Sequence, residues 1–307
     1  MATSSPMSES SIDRFAATTT EAETSIQPKR LSANEPRTIE QIREHYLVEK
    51  ELAARLKRAD PADRGALYAR LYDELFERIP HHTQLQRKTT PSEQAASIDN
   101  QLKLLRRWLV PQTTFLEIGA GDCSLSFAVA PLVTHAYAVD VSETITRSMN
   151  KPRNFTLLLS NGTDIPVPDG RITLAYSNQL MEHLHPDDAL AQLVEIHRSL
   201  AVGGTYICVT PNRLTGPHDV SRYFDDVATG FHLKEYTSRE LIKMFMHAGF
   251  RSARQCFVTS RGPIILPNAV TAACERAFES LPKRIRNRSW RKTAVAKLLE
   301  LRIIATK

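Results

Sequence analysis

Beyond Pro111 the sequence alternates short apolar runs with segments of helical periodicity. That alternation predicts an α/β protein with a seven-stranded, mostly parallel sheet and helices on both faces. Two further observations support the class. A glycine turn, Gly119-Ala120-Gly121, follows directly on the first apolar run, and an aspartate, Asp140, closes the second. Residues 37–95 precede the sheet as a helical appendage.

Residues 1–36 are rich in Ser, Thr, Ala and Glu without periodicity, and are expected to form a disordered tail. Thr38 and Gln41 have the spacing of a capping box that opens the first helix. Tyr46, Leu52, Ala53 and Leu56 fall on one helical face, and Leu67, Leu71 and Leu75 on that of a second helix. Asp60-Pro61 separates the two, since proline is tolerated at a helix start. A third helix is expected over Pro91–Leu109, with Ile98, Leu102, Leu105 and Trp108 inward. The α/β domain is placed at 96–307. Its strands are expected at Thr114–Ile118, Ala136–Asp140, Phe155–Ser160, Ile172–Ser177, Thr205–Thr210, Cys256–Thr259 and Leu301–Ala305. Between the first two strands, Ser124–Leu132 reads as a helix. Leu190, Leu193, Val194 and Leu200 mark the helix before the fifth strand, with Gly203-Gly204 as its stop. Thr237–Ala248 is a helix ended by Gly249. The segment 262–300 reads as a basic helical insertion or lid, its apolar face formed by Ile264, Ile265, Leu266, Ala273, Ala277 and Leu281.

Apolar residues make up 42% of the 307, enough for a sizeable core. No apolar run approaches the ~18 residues that span a bilayer, and the N-terminus lacks the basic and apolar regions of a secretory signal. A cytoplasmic location is the expectation. Cys123, Cys208, Cys256 and Cys274 form no Cys-x-x-Cys pair, so four reduced thiols are expected rather than a zinc knuckle or a disulfide framework. Glu275 to Lys307 carries ten Lys/Arg against three Glu, a net of +7, while the whole chain is +6, leaving the remainder near −1. A solvated helix face is the simpler reading of this basic end. Peripheral membrane contact through 275–307 is the alternative. Trp290 alone offers few stacking surfaces, so nucleic acid is not the expected partner. The sequence does not indicate an oligomeric state.

The strand ending at Ile118 runs straight into the glycine turn, with Glu117 two residues before Gly119. Glycine allows a sharp turn and close approach of a ligand to the backbone. Asp140, followed by Val141, ends the next strand, where a carboxylate accepts from both hydroxyls of a ribose. A dinucleotide fingerprint would place its third glycine where Ser124 stands. The run Glu117-x-Gly119-x-Gly121-x-Cys123 instead resembles motif I of the class I S-adenosylmethionine-dependent methyltransferases, with Cys123 where that family usually has glycine. Asn161-Gly162-Thr163-Asp164 resembles the segment after the third strand, which in the family lies along the adenine. The carbonyl of Asn161 can still accept from the adenine amino group. Residues 177–184, SNQLMEHL, resemble the end of the fourth strand, Asn178 included. LAVGGTYICVTPN at 200–212 resembles the glycine turn and fifth strand, and Arg302–Lys307 the antiparallel seventh strand. The resemblance covers about 100–307 and is nearest in flavour to bacterial small-molecule enzymes of the ubiquinone-biosynthesis type. It implies S-adenosylmethionine as cofactor and methyl transfer to a small molecule, most readily to oxygen, in secondary or cofactor metabolism. A non-catalytic cofactor-binding partner in a biosynthetic complex is an alternative, opposed by the intact Glu117, Gly119, Gly121 and Asp140.

A hydroxyl acceptor needs a base within hydrogen-bond reach. His218 and His232, after the fifth strand, and His183, after the fourth, are the candidates, since imidazole titrates near neutrality. Gln179, Glu182 and His183 have i, i+3, i+4 spacing and would share a helix face, with His232 closing on them. This partly resembles the metal-binding set of the small-RNA 2′-O-methyltransferases, and a metal-assisted RNA 2′-O-methyltransferase is a second alternative. That family has Glu where this chain has Gln179, and the lost carboxylate weakens a hard-cation site, so no metal is expected. His185 belongs with the start of the next helix. His81 and His82 could reach the cofactor pocket, but adjacent histidines on a loop are expected to be exposed.

Overall fold

The structure, a computed structural model, describes residues 26–29, 31, 35–83, 90–142, 150–259, 262–282, 286 and 299–307. Three helices come first: α1 Ile39–Arg58, α2 Pro61–Arg78 and α3 Pro91–Leu105. Thr38 and Gln41 close the expected capping box on α1. Thr90 and Glu93 form another on α3. The third helix stops at Leu105, a turn short of the expected Leu109. Of the expected tail, few residues are described, and Lys29 N donates to Tyr223 O at 2.7 Å.

The sheet contains β1 Thr114–Ile118, β2 His135–Asp140, β3 Phe155–Leu159, β4 Ile172–Asn178, β5 Leu200–Thr210, β6 Ser252–Thr259, β7 Gly262–Ile265 and β8 Leu301–Thr306. Their order is β3-β2-β1-β4-β5-β8-β6-β7. Strands β1 to β5 pair in parallel. The pairings β5–β8, β6–β8 and β6–β7 are antiparallel. The described sheet thus has eight strands where seven were expected, and three of its seven pairings run antiparallel. The added strand, β7, is a four-residue apolar run, too short for periodicity to separate strand from helix. The insertion at 262–300 therefore begins as a hairpin, not a helix. Ile264 is exposed on it.

The remaining helices are α4 Ser124–Val129, α5 Pro186–Ser199, α6 Ser238–His247 and α7 Asn268–Glu279. Helix α5 ends at Ser199 because Leu200 is already extended, so Gly203-Gly204 lies within β5 instead of stopping a helix. Val194, one of the residues that mark this helix in the sequence, is exposed. The buried face of α7 is Thr271, Glu275 and Phe278, whereas Ala273 and Ala277 are exposed. Lys283, Arg284, Arg288, Trp290, Arg291 and Lys292 lie outside the described residues.

Strand alternation splits the core in two. Leu116 and Ile118 point to one face, against α1, α2, α5 and α6. Phe115 points to the other, against α3 and α4. Helices α1 and α2 are thus bound into the main core: Leu52, Leu56, Leu71 and Leu75 share one apolar cluster with Ile118, Met181 and Leu184. Burying side chains of this kind stabilises by about 1.5–3 kcal/mol each.

Candidate functional site

The carboxyl ends of the parallel strands carry the site, as open α/β sheets dictate. At the end of β1 the chain turns through Gly119 (φ 69°) and Gly121 (φ 53°). A Cβ on Gly119 would lie 3.0 Å from Leu180 Cδ1, so this turn packs against the segment after β4. Cys123 also adopts a left-handed conformation, φ 57°, in the place where the resembled motif has glycine. Burial pushes its thiol up to about 12. Asp140 lies on the same side as the turn: Oδ2 accepts from Gly121 N at 2.8 Å and Oδ1 from Ser142 N at 3.2 Å. Glu117 is buried and its carboxyl is pushed up to about 7 by burial. Its Oε2 accepts from Ser126 N and Oγ, which pins α4 to β1. Glu117, Gly119 and Asn178 line a cleft of about 450 Å³ roofed by Gln94 and Gln101 of α3. Val141 is half-buried beside Asp140.

Asn161 and Gly162 are not among the residues lining this cleft. Asn161 Oδ1 accepts from Thr163 N, Thr163 Oγ1 and Asp164 N, so its lone pairs are spent within its own turn rather than free for an adenine. Gly162 (φ 97°) lies under α2, where a Cβ would come 2.8 Å from the Tyr68 ring. Its carbonyl accepts from Gln192 Nε2. His218 Nε2 is bound within its own loop, to Thr215 Oγ1 and Asn212 O. His185 caps α5, its Nδ1 accepting from Asp187 N. His81 and His82 are buried, contrary to the expected exposure, and neither lines the cleft. His81 Nε2 bonds Gln41 O at 2.9 Å.

Glu182, His183 and His232 do come together after β4 and β5, with one potential ligand atom of each within 4.8 Å of the others. They do so without the expected helix face. Met181–His183 is a single 3-10 turn, and Gln179 turns away at φ 54°. His183 Nδ1 is 3.0 Å from Phe231 O and 2.9 Å from Tyr72 Oη. A carbonyl only accepts, so Nδ1 carries the proton and Nε2 keeps its lone pair. His232 Nδ1 donates to Glu235 Oε1 at 2.7 Å, which likewise turns Nε2 inward. Glu182 Oε2 accepts from Thr210 Oγ1, while Oε1 is buried without a hydrogen bond, 4.0 Å from His183 Nε2.

The electrostatics separate these groups. Burial, aided by the charge of His232, pushes His183 down to about 4. Burial also lowers His232, but the hydrogen bond to Glu235 and the charges of Glu182, Glu235 and Asp219 outweigh it and leave it above the ordinary histidine value. Burial raises Glu182. Groups whose environments drive them apart in this way mark acid–base sites.

A second buried cluster, His45, Glu49 and His82, has similar composition but different chemistry. Arg37 Nη1 lies 2.7 Å from His45 Nδ1, and Arg can only donate, so Nε2 carries the proton given to Glu49 Oε1 at 2.7 Å. That tautomer leaves His45 no lone pair for a metal. Despite burial, hydrogen bonds from His45 and His82 with the Phe231 amide hold the Glu49 carboxyl at about 2. Sequence reasoning passed over Glu49 and Glu235, although His45-x-x-x-Glu49 and His232-x-x-Glu235 carry the spacings by which each histidine meets its carboxylate.

Three solved structures give the scale of similarity. A SAM-dependent methyltransferase from Archaeoglobus fulgidus is 17% identical, with 70% of this chain and 94% of that one covered, at a TM-score of 0.45. One from Aquifex aeolicus is 19% identical over 57% and 95%, at 0.41. One from Mesorhizobium loti is 13% identical over 66% and 94%, at 0.43. No curated protein sequence matches the chain. Residues 116–208, from β1 to β5, match the family described as methyltransferase domain. The chain therefore carries a SAM-dependent methyltransferase domain, and S-adenosylmethionine is its cofactor.

Proposed function

We propose that the enzyme transfers a methyl group to a hydroxyl oxygen of a small molecule, with His232 as general base. The observation that carries this reading is the His232–Glu235 pair at 2.7 Å, set beside His183 and reached from the end of β5. S-adenosylmethionine supplies an electrophilic methyl group on a sulfonium. Glu117, Gly119, Gly121, Asp140, Val141 and Asn178 would hold it, with Asp140 on the ribose hydroxyls. His232 Nε2 would accept the hydroxyl proton as the acceptor oxygen receives the methyl group. Glu235 fixes the ring and stabilises the imidazolium that forms, while His183, held neutral, offers a second acceptor. Asn161 and Gly162 would support the wall of the cleft through α2.

The test is transfer from methyl-labelled S-adenosylmethionine into a small-molecule extract, with the product identified by mass. His232→Gln should abolish labelling while leaving cofactor affinity intact. Labelled macromolecule, or labelling undiminished by His232→Gln, would overturn the reading. A metal-assisted reaction is the second reading, favoured by one observation: Glu182 Oε1, buried without a hydrogen bond, lies 4.0 Å from His183 Nε2 in a group that includes His232. Outer carboxylate and carbonyl partners on both Nδ1 atoms are what metal-bound histidines require. Manganese titration followed by electron paramagnetic resonance, repeated with Glu182→Gln, separates the two.

A further inference from the structure

We infer that Glu49 of α1 and Tyr72 of α2 are positioning residues of the active site, gripping Phe231 from two sides so that the His183 ring holds its working orientation. This rests on the proposed role of the histidine pair. Glu49 Oε2 accepts from Phe231 N at 3.2 Å. The Tyr72 ring stacks on the Phe231 ring, with centroids 5.0 Å apart at 20°. Phe231 O, thus fixed, accepts a hydrogen bond from His183 Nδ1, and Tyr72 Oη lies 2.9 Å from the same nitrogen.

The grip is close enough to dictate sequence. A Cβ on Gly230 would lie 2.3 Å from Glu49 Oε2 and 2.9 Å from Asp219 Oδ2. Asp219 Oδ2 also accepts from Gly230 N at 3.0 Å and from His232 N at 3.4 Å. A buried carboxylate, Glu49, and a half-buried one, Asp219, therefore converge on the backbone just before His232. Burying charge is unfavourable unless it is fully bonded, a cost that apolar packing would avoid. Glu49 is oriented in turn by His45, His45 by Arg37, and Arg37 by Glu35. Glu35 accepts from the Tyr223 hydroxyl, which returns the chain of bonds to the loop that bears His232. The N-terminal helices are tied to the loop at both of its ends.

The experiment needs no substrate. Protein with nitrogen-15 histidine is compared as wild type, Glu49→Gln, Tyr72→Phe and Arg55→Ala, with His183 assigned by His183→Gln. Arg55→Ala breaks the Arg55–Glu74 pair between the same two helices and serves as the structural control. Wild-type His183 should show a protonated Nδ1 and an unprotonated Nε2. Glu49→Gln and Tyr72→Phe should move the tautomer ratio about five-fold or more, the worth of one hydrogen bond. Arg55→Ala should not move it. Binding of S-adenosylhomocysteine should stay within about two-fold in every variant, as these residues lie away from the glycine turn. His183 signals unchanged in both variants, or shifted equally in the control, would overturn the inference. Tyr72→Phe removes one oxygen only and decides the matter if Glu49→Gln does not fold. Loss of S-adenosylhomocysteine binding by the wild type would instead sink the methyltransferase reading and leave the tautomer result standing.

Discussion

Glu49 links acid to stability in a way that can be measured. Its carboxyl sits at about 2 in the fold against an ordinary 4.5. A carboxylate depressed on folding contributes stability that is complete above the unfolded value and is lost as pH falls toward the folded one. At 1.36 kcal/mol per unit, the depression corresponds to about 3 kcal/mol at pH 7 and about 1 kcal/mol near pH 3. Glu49→Gln keeps the shape and removes the charge. Urea unfolding followed by circular dichroism should therefore find the variant about 3 kcal/mol less stable than wild type at pH 7, with the gap shrinking to about 1 kcal/mol near pH 3. A gap that stays constant between pH 7 and pH 3 would refute the reasoning, because it would show that shape rather than charge is what Glu49 supplies.

Other expectations follow from the same geometry. His232 lies above the ordinary histidine value and must lose its proton to act as a base, so kcat/KM should rise with pH through that value. Glu235→Gln should move the rise to lower pH and cut kcat, as read from a pH–rate profile once the acceptor is identified. Asp140→Ala should weaken S-adenosylhomocysteine binding about 10- to 150-fold in calorimetry, the worth of about 1.5–3 kcal/mol for a charge-assisted hydrogen bond. Cys123 pays for a left-handed backbone with about 1 kcal/mol or more. Chemical denaturation should accordingly rank Cys123→Gly above Cys123→Ala in stability, the reverse of the usual order. Gly162→Ala combines φ 97° with a 2.8 Å clash against Tyr68, and thermal unfolding should show a loss of about 2 kcal/mol or more.

The parts of the molecule legible in the sequence are those governed by local rules. Strands β1 to β5 announce themselves because each apolar run ends in a turn, and Thr38 to Gln41 is a cap whose chemistry is complete within four residues. The glycine turn and Asp140 were legible for the same reason: the backbone demands glycine there, and the acidic residue stands a fixed distance on. What local rules cannot show is pairing across the chain. Asn161 has the right side chain for a nucleobase, yet its oxygen is taken by Thr163 and Asp164, and its backbone packs against Gly65 of α2, 96 residues earlier. The strand β7 was hidden because Ile264 and Ile265 suit either period. His81 and His82 looked like exposed loop residues, since nothing near them in sequence reveals that α1 covers them.

The same distinction explains why the N-terminal helices looked like an appendage. Their own sequence describes two amphipathic helices and no site. Their function lies in what they touch: Gly162 under Tyr68, Gly230 under Glu49 and His183 against Tyr72. At Gly162 and Gly230 the other partner is a glycine, a residue that leaves room for an intruding side chain and cannot reveal which one it is. A close approach between distant segments is thus recorded in the sequence only as a missing Cβ. The glycines after β3 and before His232 are, on this argument, the imprint of α1 and α2 on the catalytic domain. Gly230→Ala should then behave like Glu49→Gln, displacing Phe231 and changing the His183 tautomer. The combination with Glu49→Gln should cost clearly less than the two single losses added, because both remove the same contact.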